Sequence, residues 1–200
     1  MFTNNFSSIT IGWVAIATGI VGLLGLAFII LFFTVGQPFG TLNDICIGLT
    51  AILSVVLVWM LYPKHHGQSP LLSQVTFIIA MFGAILVLIG TVLAISGVKG
   101  WFLSGLYMAA GNAMIGLWLL GLNYSALRDN SFPQSLVIFG LIGGVILALG
   151  LVTIPGIFRG IDSQEYELTT FNYIWWASSL GHLALYPTWS IFLGRILLLK

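Results

Sequence analysis

Six long apolar runs, separated by short breaks rich in polar residues, glycine or proline, dominate the sequence. Charged residues make up only 6% of the chain, whereas an ordinary soluble domain is about 25% charged. A helix that crosses a bilayer core needs about 20 apolar residues. The runs are continuous and do not alternate in polarity, so they predict helices and not barrel strands. They extend over approximately Ile9 to Val35, Ile45 to Tyr62, Leu71 to Ile95, Trp101 to Leu122, Gln134 to Ile157 and Tyr173 to Leu199.

We therefore expect an all-α membrane protein, a six-transmembrane-helix bundle forming a single integral membrane domain over residues 1–200. The first run follows no basic segment and is longer than the core of a secretory signal, so we interpret it as a retained helix. Its environment is the lipid bilayer of a cell membrane. The sequence leaves open whether other membrane proteins or a second copy of the chain bind it.

The charge balance excludes one class of partner and indicates an orientation. A formal net charge of +1 provides no basic field, so we expect no nucleic-acid binding. Cytoplasmic loops of membrane proteins carry an excess of Lys and Arg. If the N-terminus is inside, Lys99 and Arg159 lie outside and the four other basic residues are cytoplasmic, which predicts that both termini are cytoplasmic. Those four residues are Lys64, Arg128, Arg195 and Lys200.

A faint internal repeat is visible at a displacement of 60 positions. Residues 82–100 and 142–160 share glycines at several equivalent positions, and Gly40 lies a further 60 positions back. The pattern predicts three tandem helical hairpins that enter the membrane from the same side, although apolar sequence also produces such matches by chance. Gly140, Gly144 and Ala148 form a small-residue ridge, as does a glycine series in the first run. We expect these ridges to pack within the molecule and not in a dimer.

Ionisable residues at membrane depth are the default candidates for function, and His182 is the candidate in the sixth run. It lies about nine residues into that run, or about 13 Å deep. Pro187 removes a backbone hydrogen bond nearby, which predicts a kink beside the histidine. Spacings of three and four place five side chains on the same face of this helix. They are Trp175, Ser179, His182, Tyr186 and Trp189.

A second, weakly polar row on the fourth helix reaches a similar depth: Ser104, Met108 and Asn112. We expect the two faces to meet in an outward-facing ligand cavity with His182 and Asn112 at its floor. In the alternative interpretation, His182 and Asn112 only hydrogen-bond each other or a backbone carbonyl and hold the helices together, an interaction worth about 0.6 kcal/mol in membranes.

The remaining polar residues suggest a rim and several structural roles. Asp44 is assigned to the outer rim of the cavity, together with Glu165 and Glu167. It is also expected to cap the second helix, or else to pair with Arg159 or accept a proton. His65 and His66 are expected to face water in a loop from Pro63 to Pro70. The acidic residues of the loop over 160–172 form a lid or a cation-attracting rim around the cavity, or are simply solvated. Those residues are Asp162, Glu165 and Glu167, which flank Tyr166.

No catalytic residue, metal site or cofactor is predicted. Cys46 is the single cysteine, so a disulfide or a Cys cluster within the chain is excluded. Haem is possible but not favoured, because axial ligation commonly takes a second His or a Met and the predicted spans contain no second His. The methionines considered as the other ligand are Met81, Met108 and Met114. Hydrolase, metalloprotease and nucleotide-binding motifs are missing.

These features favour a non-enzymatic membrane protein that binds a small apolar or amphipathic ligand, or that acts as an accessory subunit of a membrane complex. The alternative is a small transporter or channel that uses the kinked sixth helix. A third possibility is a membrane-embedded lipid-modifying enzyme with His182 as its base. Transport requires polar access from both sides, whereas the third and fifth runs are almost wholly apolar, and this difference favours the binder.

Overall fold

A computed structural model describes residues 6–162 and 170–199, and the described chain is helical throughout with no strand. Ser7 caps the first helix, because its Oγ atom accepts a hydrogen bond from the Thr10 amide at 3.1 Å. Left-handed residues end later helices, with Gly97 at φ 65° and Asn130 at φ 53°. The helices are α1 (Ser8–Val35), α2 (Phe39–Gln68), α3 (Pro70–Ser96), α4 (Trp101–Asp129), α5 (Gln134–Ala148), α6 (Ile154–Phe158), α7 (Thr170–Leu180) and α8 (Tyr186–Leu198).

Eight helices form six segments, because two segments are interrupted by a change of helix type. In the fifth segment a 3-10 turn, Leu149–Thr153, joins α5 to α6. In the sixth segment a π turn, Gly181–Leu185, lies between α7 and α8. Five segments are long and apolar enough to cross a membrane, whereas the sixth is divided into helices of 11 and 13 residues. The prediction of an all-α membrane bundle is confirmed, and the chain is a multi-pass membrane protein.

The outer surface of the bundle is apolar. Ile30, Phe82 and Val92 are exposed by 55%, 59% and 64%, and many more large apolar side chains on α1, α3 and α5 also face outward. A water-soluble monomer rarely presents so large an apolar surface. In a bilayer the same surface is satisfied by lipid, while the backbone polar groups are paired within the helices.

The six segments are arranged around α4. Helix α1 packs against α2 and α8, α2 against α3, and α4 between α3 and α5. Of the most apolar stretch of α4, 72% is buried, compared with 28% to 50% in the four other candidate spans. Helix α4 is therefore the central element of the bundle.

We call the end of the bundle that holds residues 36–38, 97–100 and 159–162 the distal end, and the opposite end the terminal end. Aromatic and aliphatic side chains fill the middle of the bundle and its terminal end. The Trp118 and Trp189 rings meet edge to face with centroids 6.4 Å apart. Tyr186 donates a hydrogen bond from its hydroxyl to Ser54 Oγ at 2.8 Å, which joins α8 to α2 inside this core.

Glycines allow the closest helix contacts. A Cβ atom added at Gly194 of α8 would lie 2.5 Å from the Gly12 carbonyl oxygen of α1, and one added at Gly22 would lie 2.5 Å from the Pro187 ring. On α5, a Cβ atom at Gly144 would lie 3.0 Å from the Gly116 carbonyl oxygen of α4. Both glycine ridges therefore pack within the molecule, as predicted.

The structure gives partial support to the repeat. Residues 81–90 of α3 and 141–150 of the fifth segment have the same order of buried and exposed positions. Both faces pack on α4, since a Cβ atom at Gly90 or at Gly150 would lie 2.7 Å from an α4 carbonyl oxygen. The third hairpin differs from the other two, because α8 packs more extensively against α1 than against α5. A three-hairpin origin stays a prediction.

Two predictions about α2 are wrong. The helix begins at Phe39, so Asp44 lies inside it and does not cap it. The acceptor near its start is Gln37, whose Oε1 atom lies 3.4 Å from the Thr41 amide. At its other end α2 continues through Pro63 to Gln68, so the predicted loop is helical.

The prediction that both histidines at that end of α2 face water is wrong for His65, which is buried, whereas His66 is half-buried. His65 is 1% exposed, and its Nε2 atom lies 3.0 Å from Ser125 Oγ of α4. His66 Nδ1 lies 3.1 Å from Ser73 Oγ of α3. Helix α2 extends further than its apolar run because neighbouring helices supply partners for both imidazoles. Helix α4 similarly continues past the predicted end at Leu122 to Asp129.

Candidate ligand cavity

The sixth segment changes from an α to a π conformation at the predicted histidine. In the π turn the Tyr186 amide donates to the Gly181 carbonyl, five residues earlier. Pro187, in the next turn, has no amide hydrogen to donate. Such π turns are rare and occur frequently at functional sites. The π turn therefore contains His182 and ends just before Pro187, while the predicted kink stays a prediction.

His182 lines a cavity of about 70 Å³ toward the distal end. The cavity lies between α1, α2, the first turns of α4, and α7 with its π turn. Four residues predicted for the site on helices four and six line it, together with Asp44 from α2. Those four are Met108, Trp175, Ser179 and His182.

A second, smaller cavity of about 10 Å³ also touches His182. Its lining includes Asn112, Thr50 and Cys46. A space of this size is at the lower limit for a single water molecule. The predicted pair, His182 and Asn112, therefore lines a common cavity, but that cavity has no room for a ligand. The larger cavity is the candidate ligand site.

Several buried polar atoms around these cavities have no hydrogen-bond partner within the part of the chain that the structure describes: both ring nitrogens of His182, Asn112 Nδ2 and Asn43 Oδ1. The Ser178 carbonyl lies near the imidazole but does not meet hydrogen-bond geometry. In the alternative interpretation, His182 and Asn112 hydrogen-bond each other and hold the helices together; that hydrogen bond is not formed. Buried polar groups without partners are uncommon in proteins, and a bound water, ion or polar ligand group is one explanation for them. Other such atoms, including Trp189 Nε1, lie in the core away from both cavities.

Asp44 contributes a carboxylate to the larger cavity. The neighbouring Asn43 side chain donates a long hydrogen bond to this carboxylate, with Asn43 Nδ2 3.5 Å from Asp44 Oδ1. No ion pair of Asp44 is recorded within residues 6–162 and 170–199, so the predicted pairing with Arg159 is not observed. The carboxylate therefore keeps most of its capacity to accept hydrogen bonds or to face a cation.

Three tryptophan rings form much of the cavity wall. Trp175 is central, with its ring centroid 5.8 Å from that of Trp101 and 5.4 Å from that of Trp176. The corresponding interplanar angles are 61° and 41°, so the ring planes are inclined to one another. Trp101 and Trp176 are 41% and 45% exposed, so the aromatic wall extends from the cavity to the outside of the bundle.

The other residues predicted for the site lie elsewhere. Tyr186 and Trp189 share the helix face of His182 but are buried in the core beyond it, 2% and 1% exposed, and they line neither cavity. Ser104 is fully buried and donates to the Gly100 carbonyl. Glu165 and Glu167, predicted for the outer rim, lie outside the described residues.

Asp162 has a role that the sequence did not suggest. Its Oδ2 atom accepts a hydrogen bond from the Gly100 amide at 2.8 Å, and its Oδ1 atom accepts one from the Leu103 amide at 3.3 Å. The carboxylate therefore caps the N-terminus of α4, where a negative charge is stabilising. Because 62 positions separate Asp162 from Gly100, no local sequence pattern reveals this contact.

Among the lining residues that sequence reasoning missed are one amide side chain, Asn43, and two tryptophans, Trp101 and Trp176. The adjacent Asn43 and Asp44 interrupt the apolar pattern at the start of the second run, and that interruption was the available signal. Trp101 and Trp176 fit an interfacial aromatic belt equally well. Only the packing of α7 beside α4 distinguishes the two interpretations.

A larger groove of about 360 Å³ lies at the terminal end between α5 and α8. Its walls are mostly apolar, including Phe139 and Phe192, with Arg195 and Ser135 at its edge. Neither Arg195 nor Ser135 has a polar atom that is buried without a partner. The cavity at His182 combines unpartnered polar atoms, a carboxylate and aromatic rings, and it is therefore the better candidate site.

No group of three or more His, Cys, Asp or Glu side chains that could hold a metal ion occurs within the described part of the chain. Comparison of the whole chain with protein-family models, with curated proteins and with solved structures gives no match.

Proposed function

We propose that this membrane protein binds a small amphipathic ligand in the cavity beside His182, either by itself or as an accessory subunit of a membrane complex. One observation carries the proposal: unpartnered buried polar atoms and tryptophan rings line the same cavity. Ligand sites typically combine an apolar wall with a few polar groups that fix the orientation of the ligand.

The size of the cavity limits how the ligand binds. A volume of about 70 Å³ is far below the 300 to 1,000 Å³ of a site that encloses a drug-sized molecule. The cavity therefore takes one group of the ligand. Exposed apolar side chains at its margin, such as Phe33 at 63%, extend to the outer surface. An alkyl chain attached to the bound group would lie along this surface in the lipid.

Transport is the alternative, and the small cavity on the far side of His182 favours it, since it extends the polar region toward the middle of the bundle. Beyond it, however, Trp118, Tyr186 and Trp189 close the bundle, each 2% exposed or less. A pathway would require this core to open. Binding requires no such rearrangement, and for that reason we favour it.

Photoaffinity labelling tests the proposal. Octyl probes with ammonium, glucoside or sulfate headgroups and a diazirine in the chain are applied to the protein in lipid nanodiscs, with and without excess unlabelled amphiphile. We expect saturable labelling of peptides that contain Phe33 or Trp176 by at least one probe. Ser179→Leu fills the cavity and should remove this labelling. Ser96→Leu makes the same change at an exposed position on α3 and should preserve it.

Labelling that excess amphiphile does not reduce, or that Ser179→Leu leaves unchanged, would overturn the proposal. Native mass spectrometry provides a second readout, because a molecule retained from the membrane adds a fixed mass to the 21.7 kDa chain. Size-exclusion profiles of both variants show whether the fold is intact.

A further inference from the structure

The charged and aromatic lining of the cavity indicates which headgroup it accepts. The described lining residues include one carboxylate, Asp44, and no Lys or Arg. Asp44 is flanked by Asn43, whose Oδ1 atom is buried without a partner, and Asn43 itself is 6% exposed. Carboxylate and amide oxygens are hydrogen-bond acceptors and repel anions. The part of the cavity formed by Asn43 and Asp44 therefore favours a positively charged group.

Lys99 is a basic residue that shares a cavity with Asp44. Both residues line an adjoining outer cavity of about 300 Å³ at the distal end. Lys99 is exposed, and the two side chains form no ion pair within the described residues. The carboxylate is therefore not neutralised by a neighbour within the described chain.

The aromatic wall favours the same class of ligand. A cation over the face of a tryptophan ring is attracted by the ring quadrupole, and clusters of aromatic rings recognise quaternary ammonium groups in this way. Trp101, Trp175 and Trp176 all line the cavity, and their ring planes are inclined to one another. The cavity therefore combines a carboxylate with three tryptophans, two groups that each attract a cation.

The structure also removes a competing site for an anion. The N-terminus of α4 begins at Trp101 beside the cavity, and the exposed amides of a helix N-terminus attract anions. Here Asp162 accepts from the Gly100 and Leu103 amides and supplies the negative charge. An anionic headgroup would find the N-terminal amides of α4 already bonded to Asp162, and it would be repelled by the Asp44 carboxylate on α2.

We infer that the cavity binds the ammonium headgroup of a cationic amphiphile, with Asp44 as its counter-ion and Trp101, Trp175 and Trp176 as its aromatic wall. The alkyl chain of the amphiphile lies outside the cavity in the lipid. This inference rests on the proposed function and specifies the ligand class for the same site.

Competition labelling in nanodiscs at pH 8 tests the inference. Octyltrimethylammonium, octyl glucoside and octyl sulfate compete with the diazirine probe that labels most strongly, each below its micelle concentration. We expect octyltrimethylammonium to compete at a concentration at least about tenfold lower than octyl glucoside, because only the cation gains the attraction of a partly buried carboxylate. Octyl sulfate should be the weakest competitor.

Two pairs of variants separate the contributions. Asp44→Asn keeps the shape and should remove the preference for the cation, while Asp129→Asn, at the terminal end, should leave it unchanged. Trp176→Leu should raise the concentration at which octyltrimethylammonium competes by about two- to fivefold, and should change that of octyl glucoside by less than about twofold. Trp59→Leu is its matched control, because Trp59 is 50% exposed and Trp176 is 45% exposed.

The outcomes distinguish this inference from the proposed function. If octyl glucoside competes as well as octyltrimethylammonium, or if Asp44→Asn weakens competition by all three compounds equally, the inference of an ammonium site is overturned while the proposal of ligand binding stands. If no probe labels the cavity saturably, both fail. The thermal unfolding of each variant, followed by circular dichroism, shows whether a loss of binding is only a loss of fold.

Discussion

Asp162 shows how a single side chain connects distant parts of this chain. Its carboxylate lies just after the fifth segment and accepts hydrogen bonds from two amides at the start of α4. The geometry also accounts for Gly100, since a Cβ atom at that position would collide with the Asp162 carboxylate. The cap therefore depends on residues from two connecting segments at the distal end, 97–100 and 159–162.

We expect Asp162→Ala to destabilise the protein by about 1 kcal/mol, the typical effect of removing a helix cap. Asp162→Asn should destabilise the protein less than Asp162→Ala, because asparagine also accepts hydrogen bonds from N-terminal amides. Thermal unfolding in detergent, followed by circular dichroism, measures both changes. Equal stability of the wild type and Asp162→Ala would show that the α4 amides are satisfied equally well by water.

At the scale of the helical elements, the contact between α1 and α8 includes a close approach of two glycines, Gly12 and Gly194. Gly194→Ala places a methyl group against the Gly12 carbonyl oxygen, which is backbone and cannot rotate away. We expect a loss of about 1 to 3 kcal/mol, typical of overpacking in a close contact. The apparent melting temperature in nanodiscs measures it. In the matched control, Gly67→Ala, no atom lies within 4 Å of the added carbon, and stability should be unchanged or slightly higher.

The sequence predicted the helical elements well where hydrophobic length determines them. It failed at both ends of α2, because helix limits there depend on polar contacts. The Gln37 side chain allows a start at Phe39, and the partners of His65 and His66 come from α4 and α3. A hydropathy pattern carries no information about these distant partners.

The candidate site was predictable to a similar degree. Helical spacing correctly placed Trp175, Ser179 and His182 on a common face, and all three line the cavity. The same spacing could not show that the face changes neighbours after the π turn, so Tyr186 was assigned to the cavity although it lies in the core. Asp44 lines the cavity, although its predicted role as the cap of α2 is wrong.

For the molecule as a whole, the orientation in the membrane is the property to measure first. Single cysteines at Lys99 and Arg128, both exposed and at opposite ends of the bundle, are introduced in a Cys46→Ser background. Because the basic residues predict cytoplasmic termini, we expect a membrane-impermeant maleimide to label Lys99→Cys on intact cells and Arg128→Cys only after permeabilisation. The reverse pattern would place the ligand cavity on the cytoplasmic side.

The pairing of α1 with α8 has a consequence for biosynthesis. Chains are made from the N-terminus, so α1 is synthesised before its partner surface on α8, with helices α2 to α7 between them. Until α8 is made, Gly12 and Gly22 face lipid or a chaperone, because their contacts are with Gly194 and Pro187. The contact between α1 and α8 therefore forms late relative to the contact between α1 and α2, and a ribosome that stalls before α8 leaves the glycine face of α1 uncovered.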